Sequence, residues 1–73
     1  SKITRGYFLS RTWSLLGLIA KERNAYEIAL DHFYKAEDSA KGKVLSADQR
    51  LELLIHQSDC LRELNQMEKA LLI

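Results

Sequence analysis

The chain has 73 residues, of which 47% are apolar and 29% charged, with three glycines and no proline. A chain this short buries only about 60% of the surface that its unfolded form exposes, so two complete domains are excluded and independent stability is marginal. Eleven basic side chains against ten acidic ones leave a formal net charge of +1, which creates no overall field to attract nucleic acid or anionic lipid.

The cysteine content and the apolar runs indicate the compartment. Cys60 is the single cysteine, which excludes an internal disulfide and a multi-cysteine zinc site. The longest apolar run, Leu15 to Ala20, has six residues, far short of the roughly 20 that cross a bilayer. We expect an intracellular protein, cytoplasmic or nuclear, without membrane contact. The start without Met and the apolar end at 70–73 favour a fragment of a longer protein.

The first predicted helix carries an apolar stripe that faces another helix. Its members recur at helical spacing: Leu9, Trp13, Leu16, Gly17 and Ala20. A polar cluster follows over 21–24, and asparagine tolerates the left-handed conformation that ends helices. We therefore predict a tight turn at Asn24–Ala25.

A second, amphipathic helix follows this turn. Its apolar face comprises Tyr26, Ala29, Leu30, Phe33, Ala36 and Ala40, and its polar face Glu27, Asp31, Lys35 and Asp38. Asp31 and Lys35 form a supporting i, i+4 pair. The sequence Lys41-Gly42-Lys43 then predicts a break, within a linker over about 41–46.

The third predicted helix begins near Ala47. Ser46 followed by Gln49 fits a capping box that opens it. Its apolar positions are Leu51, Leu54, Ile55, Leu61 and Leu64. The pair Asn65–Gln66 predicts a second turn, with a fourth helix starting at Met67. Because alternating apolar runs and hairpin signals are absent from the sequence, we predict an all-α fold.

The chain aligns with itself at an offset of 41 residues. This offset pairs Lys21-Glu22 with Arg62-Glu63, Asn24 with Asn65, and Ala29-Leu30 with Ala70-Leu71. The order of large and small residues in the first copy resembles the tetratricopeptide repeat: Trp13, Leu16, Gly17, Ala29, Phe33 and Ala36. The chain departs from the repeat by seven extra residues before the second copy and at four positions: Ala20, Lys41, Gln57 and Ser58.

The resemblance implies antiparallel helix hairpins stacked as in an α-solenoid. It gives one unit over 1–73 with about one and a half to two repeats, the first at about 10–43 and a truncated second at about 47–73. The packing signature comprises Trp13, Leu16, Gly17, Ala20, Ala29, Phe33, Ala36, Leu54, Leu61 and Ala70. Because glycine inside a helix costs about 0.5 to 1 kcal/mol relative to alanine, we expect Gly17 to allow close packing.

The resemblance also implies a groove along the first helix of each hairpin. Its lining comprises Arg11, Ser14, Leu18, Lys21, Glu52, Ile55, Asp59 and Arg62. Leu18 and Ile55 beside basic side chains suit a peptide or helix with apolar anchors and acidic flanks. We expect a non-enzymatic scaffold that binds a protein or peptide, contacts neighbouring repeats and associates through its apolar end. The alternative, that these are ordinary solvated residues or contacts to neighbouring repeats, stays open.

Two other functions fit the same sequence. One is a self-contained three-helix adaptor bundle that binds short amphipathic helices, and the other is the helical regulatory part of a larger enzyme or transcription regulator. His56, Asp59 and Cys60 share one helical turn but are too few to hold a metal, so we expect a surface histidine and a partly buried cysteine. Asp31 and His32 are adjacent residues of the kind used in acid–base catalysis, but no motif in the sequence places a nucleophile beside them. We therefore expect no catalysis, no cofactor and no metal.

Overall fold

A computed structural model describes residues 2–41 and 45–72, which form three α-helices. These are α1 over Lys2–Glu22, α2 over Tyr26–Ser39 and α3 over Ala47–Leu71. The described residues contain no strand, so the all-α prediction is confirmed. α2 packs on both other helices, and the described part of the chain measures 51 × 19 × 15 Å.

A Schellman motif connects α1 to α2. Asn24 has a φ of 62°, in the left-handed region, and its N–H donates to the carbonyl of Lys21 at 3.0 Å. The N–H of Ala25 donates to the carbonyl of Ala20 at 2.9 Å, which completes the motif. The hydroxyl of Tyr26 donates to Asn24 Oδ1 at 2.9 Å. The predicted turn at Asn24–Ala25 is confirmed.

Substitutions at Asn24 test this turn. Because a residue with a Cβ is strained in the left-handed region, and a β-branched one most of all, Asn24→Val is expected to lower the free energy of unfolding by about 1–2 kcal/mol. Asn24→Gly removes the Cβ and is expected to leave stability unchanged or slightly higher. Urea unfolding followed by circular dichroism measures both variants, and equal midpoints for valine and glycine would contradict the turn.

A small core lies where α2 packs between α1 and α3. Its buried members are Ala20, Ala29, Phe33, Ala36, Leu53 and Cys60. Phe33 is fully buried, and a Cβ placed on Gly17 would lie 2.7 Å from its ring. This contact confirms that Gly17 makes room for a large residue of α2. The predicted pair of Asp31 and Lys35 is also present, with 3.0 Å between Oδ2 and Nζ.

The start of α3 follows the sequence prediction. The N–H of Gln49 donates to Ser46 Oγ at 3.2 Å, and the N–H of Ser46 donates to Gln49 Oε1 at 2.9 Å. These reciprocal hydrogen bonds are the predicted capping box. α2 ends at Ser39, close to the predicted break, whereas Gly42 and Lys43 of the predicted linker lie outside the described residues.

The end of α3 corrects the sequence prediction. The helix runs without interruption to Leu71, so the predicted turn at Asn65–Gln66 and the fourth helix from Met67 are wrong. The segment 61–71 contains no glycine or proline and consists mostly of strong helix formers, so the local sequence does not stop the helix. Residues 65–72 are all exposed. Ile73 of the predicted apolar edge lies outside the described residues.

The packing faces of α1 and α3 also differ from the prediction. On α1, Leu9 and Leu16 are exposed because α2 covers the side of Gly17, and one step along a helix turns a side chain by about 100°. The helix begins at Lys2, before Leu9, the first member of the predicted stripe. On α3 the exposed residues include three members of the predicted signature: Leu54, Leu61 and Ala70. The buried face of α3 instead carries Leu53, Gln57 and Cys60.

Within 2–41 and 45–72, none of the helices combines the length and apolar character needed to cross a membrane.

Candidate protein-binding groove

A groove separates α1 from α3, which point in the same direction. Lys21 near the end of α1 contacts Asp59, while the part of α1 from Tyr7 to Leu18 faces the first part of α3 across a cavity of about 90 Å³. Each of these helices packs closely on α2, but they approach one another far less closely. The cavity walls include Tyr7 and Ser10 from α1 and Gln49 and His56 from α3.

Four of the eight predicted groove residues line this cavity: Arg11, Ser14, Leu18 and Glu52. The side chain of Leu18 is partly exposed there, at 36% for the residue. Ile55 is 49% exposed on α3 and does not line the cavity. The structure therefore brings these four predicted residues together around the cavity and leaves Ile55 outside it.

The other three predicted groove residues belong to a polar cluster, formed by Lys21, His56, Asp59 and Arg62. Lys21 Nζ lies 2.9 Å from Asp59 Oδ2, and Arg62 Nη2 lies 3.0 Å from Asp59 Oδ1. The hydrogen bond from Lys21 holds the pKa of the Asp59 carboxyl below its usual value. These side chains bind one another, so Lys21 and Arg62 already have an acidic partner within the chain.

His56 and Cys60 are more enclosed than the sequence predicts. The imidazole of His56 stacks on the ring of Phe33, with centroids 5.1 Å apart and planes 12° apart. Burial lowers the pKa of His56 and raises the pKa of the Cys60 thiol, which is fully buried. No group of three or more His, Cys, Asp or Glu side chains in the described parts of the chain is placed to hold a metal ion.

Gln57 is a core residue that the apolar pattern of α3 did not predict. It is 6% exposed, between Leu53 and Cys60 on the side of α3 that faces α2. Its amide Nε2 donates to Glu37 Oε2 at 3.3 Å, so the buried amide has a partner. The i, i+4, i+7 spacing of these three α3 residues is the signal that could have found this face.

Trp13, a member of the predicted packing signature, packs on the side of α2. Its ring stacks on His32, with centroids 5.3 Å apart, and Lys35 Nζ lies 4.8 Å from the ring centroid. The residue remains half-buried. Trp13 therefore joins α1 to α2 from the edge of the hairpin rather than from its centre.

Two exposed apolar surfaces lie on helices α1 and α3. The α1 surface consists of Phe8, Leu15 and Ile19, which are 63%, 51% and 50% exposed. The α3 surface consists of Leu54 and Leu61, which are 52% and 49% exposed. Apolar side chains grouped on one helix face commonly mark an interaction site.

No protein-family model matches the chain, and no curated protein or solved structure matches it.

Proposed function

We propose that the chain is a tetratricopeptide-like segment of a helical solenoid and acts as a non-enzymatic scaffold for protein interaction. The observation that carries this proposal is the open groove between α1 and α3, two helices that run in the same direction and are both backed by α2. A helix or an extended peptide of a partner would bind in this groove.

The unpartnered face of α3 supports the repeat interpretation. The offset of 41 residues places Leu54, Ser58 and Leu61 of α3 at the positions that Trp13, Gly17 and Ala20 hold on α1. On α1 this face packs against α2, whereas on α3 it is exposed. A helix packed on α3 as α2 packs on α1 would cover it. The exposed Phe8 and Ile19 of α1 are suited to contact with a further helix, whereas Leu15, the third member of the α1 surface, also lines the groove cavity.

The groove is suited to a partner with an apolar anchor and no strong net charge. Leu18 offers exposed apolar surface inside the groove, and Ile55 offers more beside it. Arg11 and Glu52 line the cavity with opposite charges. Because Lys21 and Arg62 already bind Asp59, the case for acidic flanks on the partner is weaker than the sequence implied.

The closed three-helix adaptor bundle is the alternative. Such a bundle would pack α1 against α3 along their length. The core cluster takes residues from all three helices, which fits both arrangements. The weak approach of α1 to α3 and the cavity between them favour an open groove instead.

Peptide selection from a random phage-displayed library tests the proposed groove. We expect selected peptides to bind the wild-type chain and to bind the double variant Leu18→Asp, Ile55→Asp at least tenfold more weakly. The reason is that each lost apolar anchor removes about 1.5–3 kcal/mol of burial, and about 1.4 kcal/mol is a tenfold change in Kd. Both side chains are exposed, so the fold should persist, and circular dichroism checks this.

The control variant is Ile28→Asp. Ile28 is 56% exposed on α2 and lines neither the groove nor the core, so its substitution should leave the Kd unchanged. Peptides that bind the double variant as tightly as the wild type, or a selection that returns no binder, would contradict the proposed groove.

A further inference from the structure

All three helices meet at His56. Its ring stacks on Phe33 of α2, and its Nδ1 atom lies 3.2 Å from the ammonium of Lys21 on α1. Asp59, one turn further along α3, accepts from the same ammonium at 2.9 Å. Lys21 thus links α1 to α3 through two hydrogen-bond acceptors on α3. The two helices make few other close contacts.

The hydrogen bond between Lys21 and His56 requires a neutral imidazole. A lysine ammonium has three donors and no acceptor, so Nδ1 must supply a lone pair and the ring proton must sit on Nε2. A protonated imidazole carries hydrogen on both nitrogens and cannot accept this bond. It would also place two positive charges 3.2 Å apart.

The surrounding charges reinforce the neutral form. Burial lowers the pKa of His56 most strongly and the charge of Lys21 lowers it further, while Asp59 and Glu52 oppose both effects. Asp59 is already bound by Lys21 and by Arg62. α2 contributes the apolar ring of Phe33 at this point, so the charged groups that act on His56 come from α1 and α3.

We propose that His56 is a proton-sensitive latch, in which protonation at Nδ1 releases the Lys21 ammonium and loosens α1 from α3. The imidazolium then competes with Lys21 for Asp59, and the helices can separate at the end of the groove where the polar cluster holds them. Acid would therefore widen the groove. The consequence for a bound partner rests on the proposed function, whereas the latch itself is a property of the chain alone.

The pH range follows from the direction of the shift. His56 has a lower pKa in the folded chain than the ordinary value of 6.5, so the unfolded chain binds the proton first as the pH falls. The stability that neutral His56 contributes is complete above about pH 6.5 and is lost as the pH falls through the folded pKa.

Nuclear magnetic resonance of the 73-residue chain between pH 8 and pH 5 tests the latch without a partner. We expect the ring signals of His56 to titrate with a midpoint below 6.5, and the side-chain signals of Lys21 to shift with the same midpoint. We also expect the nuclear Overhauser contacts between Lys21 and the α3 residues to weaken below that midpoint. A His56 midpoint at or above 6.5, or Lys21 signals that do not follow it, would overturn the latch.

Two matched variants separate the latch from general acid effects. His56→Asn keeps an acceptor near the position of Nδ1 but cannot titrate, so Lys21 should stay in place across the range. His32→Asn removes the other histidine and should leave the Lys21 response intact. Should the asparagine at 56 prevent folding, Lys21→Met serves instead, since loss of the ammonium should raise the His56 midpoint, and an unchanged midpoint would count against the latch. Failure of peptide selection leaves these results unaffected.

Discussion

Replacement of Gly17 by leucine is expected to abolish the cooperative unfolding of the chain. A Cβ added at this position would lie 2.7 to 2.9 Å from three atoms of the Phe33 ring, and that ring is fully buried. The ring or α1 must therefore shift to make room for the added side chain. Extra methylene groups in a packed core lower the free energy of unfolding by about 1–3 kcal/mol, and leucine adds several carbon atoms at this position. Urea unfolding followed by circular dichroism at 222 nm measures the loss.

Gly17→Ala makes the cause of this effect clear. Helix propensity alone would make alanine more stable than glycine by about 0.5–1 kcal/mol, whereas the contact with Phe33 predicts a loss. The sign of the change therefore separates the two effects. The double variant Gly17→Ala, Phe33→Leu should lose less free energy of unfolding than the two single variants lose together, because the smaller side chain at 33 relieves the contact. Leu16→Ala, at an exposed neighbouring position, is the control and should have a small effect. A stabilising Gly17→Ala would contradict the packing argument.

The sequence predicted those parts of the fold that local chemistry determines. The left-handed residue at Asn24 and the capping box at Ser46 depend on a few neighbouring residues, and both were predictable. The predicted turn at Asn65 is wrong because one asparagine permits a turn but does not by itself cause one. At Asn24 the turn is also stabilised by its backbone hydrogen bonds and by the packing of α1 on α2. In α3 the helix continues because its residues favour it, and among the described residues nothing packs on 65–72, which are all exposed.

The candidate groove was harder to predict because its side chains interact across helices. The repeat pattern placed Arg11, Ser14 and Leu18 on the side of α1 that lines the cavity. It also placed Lys21 and Asp59 beside the groove but could not show that they bind one another, because that contact joins residues 38 positions apart. The stack of His56 on Phe33 likewise depends on which side of α3 faces α2. Because Gln57 on that side is polar but buried, the pattern of apolar residues does not indicate which side it is.

Phe33→Ala is expected to leave the chain largely unfolded at room temperature. Removing a fully buried phenylalanine costs about 3–5 kcal/mol, since it removes apolar burial and leaves a cavity. A chain this short lies at the low end of the usual range, so at roughly 0.05 kcal/mol per residue its 73 residues have about 4 kcal/mol of stability in total. Apart from Phe33, the buried members of the core cluster are three alanines, Leu53 and Cys60, so Phe33 is its largest side chain. Circular dichroism and the dispersion of amide signals measure the folded fraction.

Tyr34→Ala is the matched control for this substitution. Tyr34 is the next residue of the same helix and is also aromatic, but it is 46% exposed, so its loss should cost far less. Phe33→Leu, which keeps most of the buried volume, should remain folded and still remove the aromatic stack on His56. Equal destabilisation by alanine at 33 and at 34 would show that α2 is not anchored through Phe33. Because Phe33 contacts both Gly17 and His56, it joins the packing of the hairpin to the polar link between α1 and α3. We therefore expect the leucine variant to change the His56 titration midpoint while the chain stays helical.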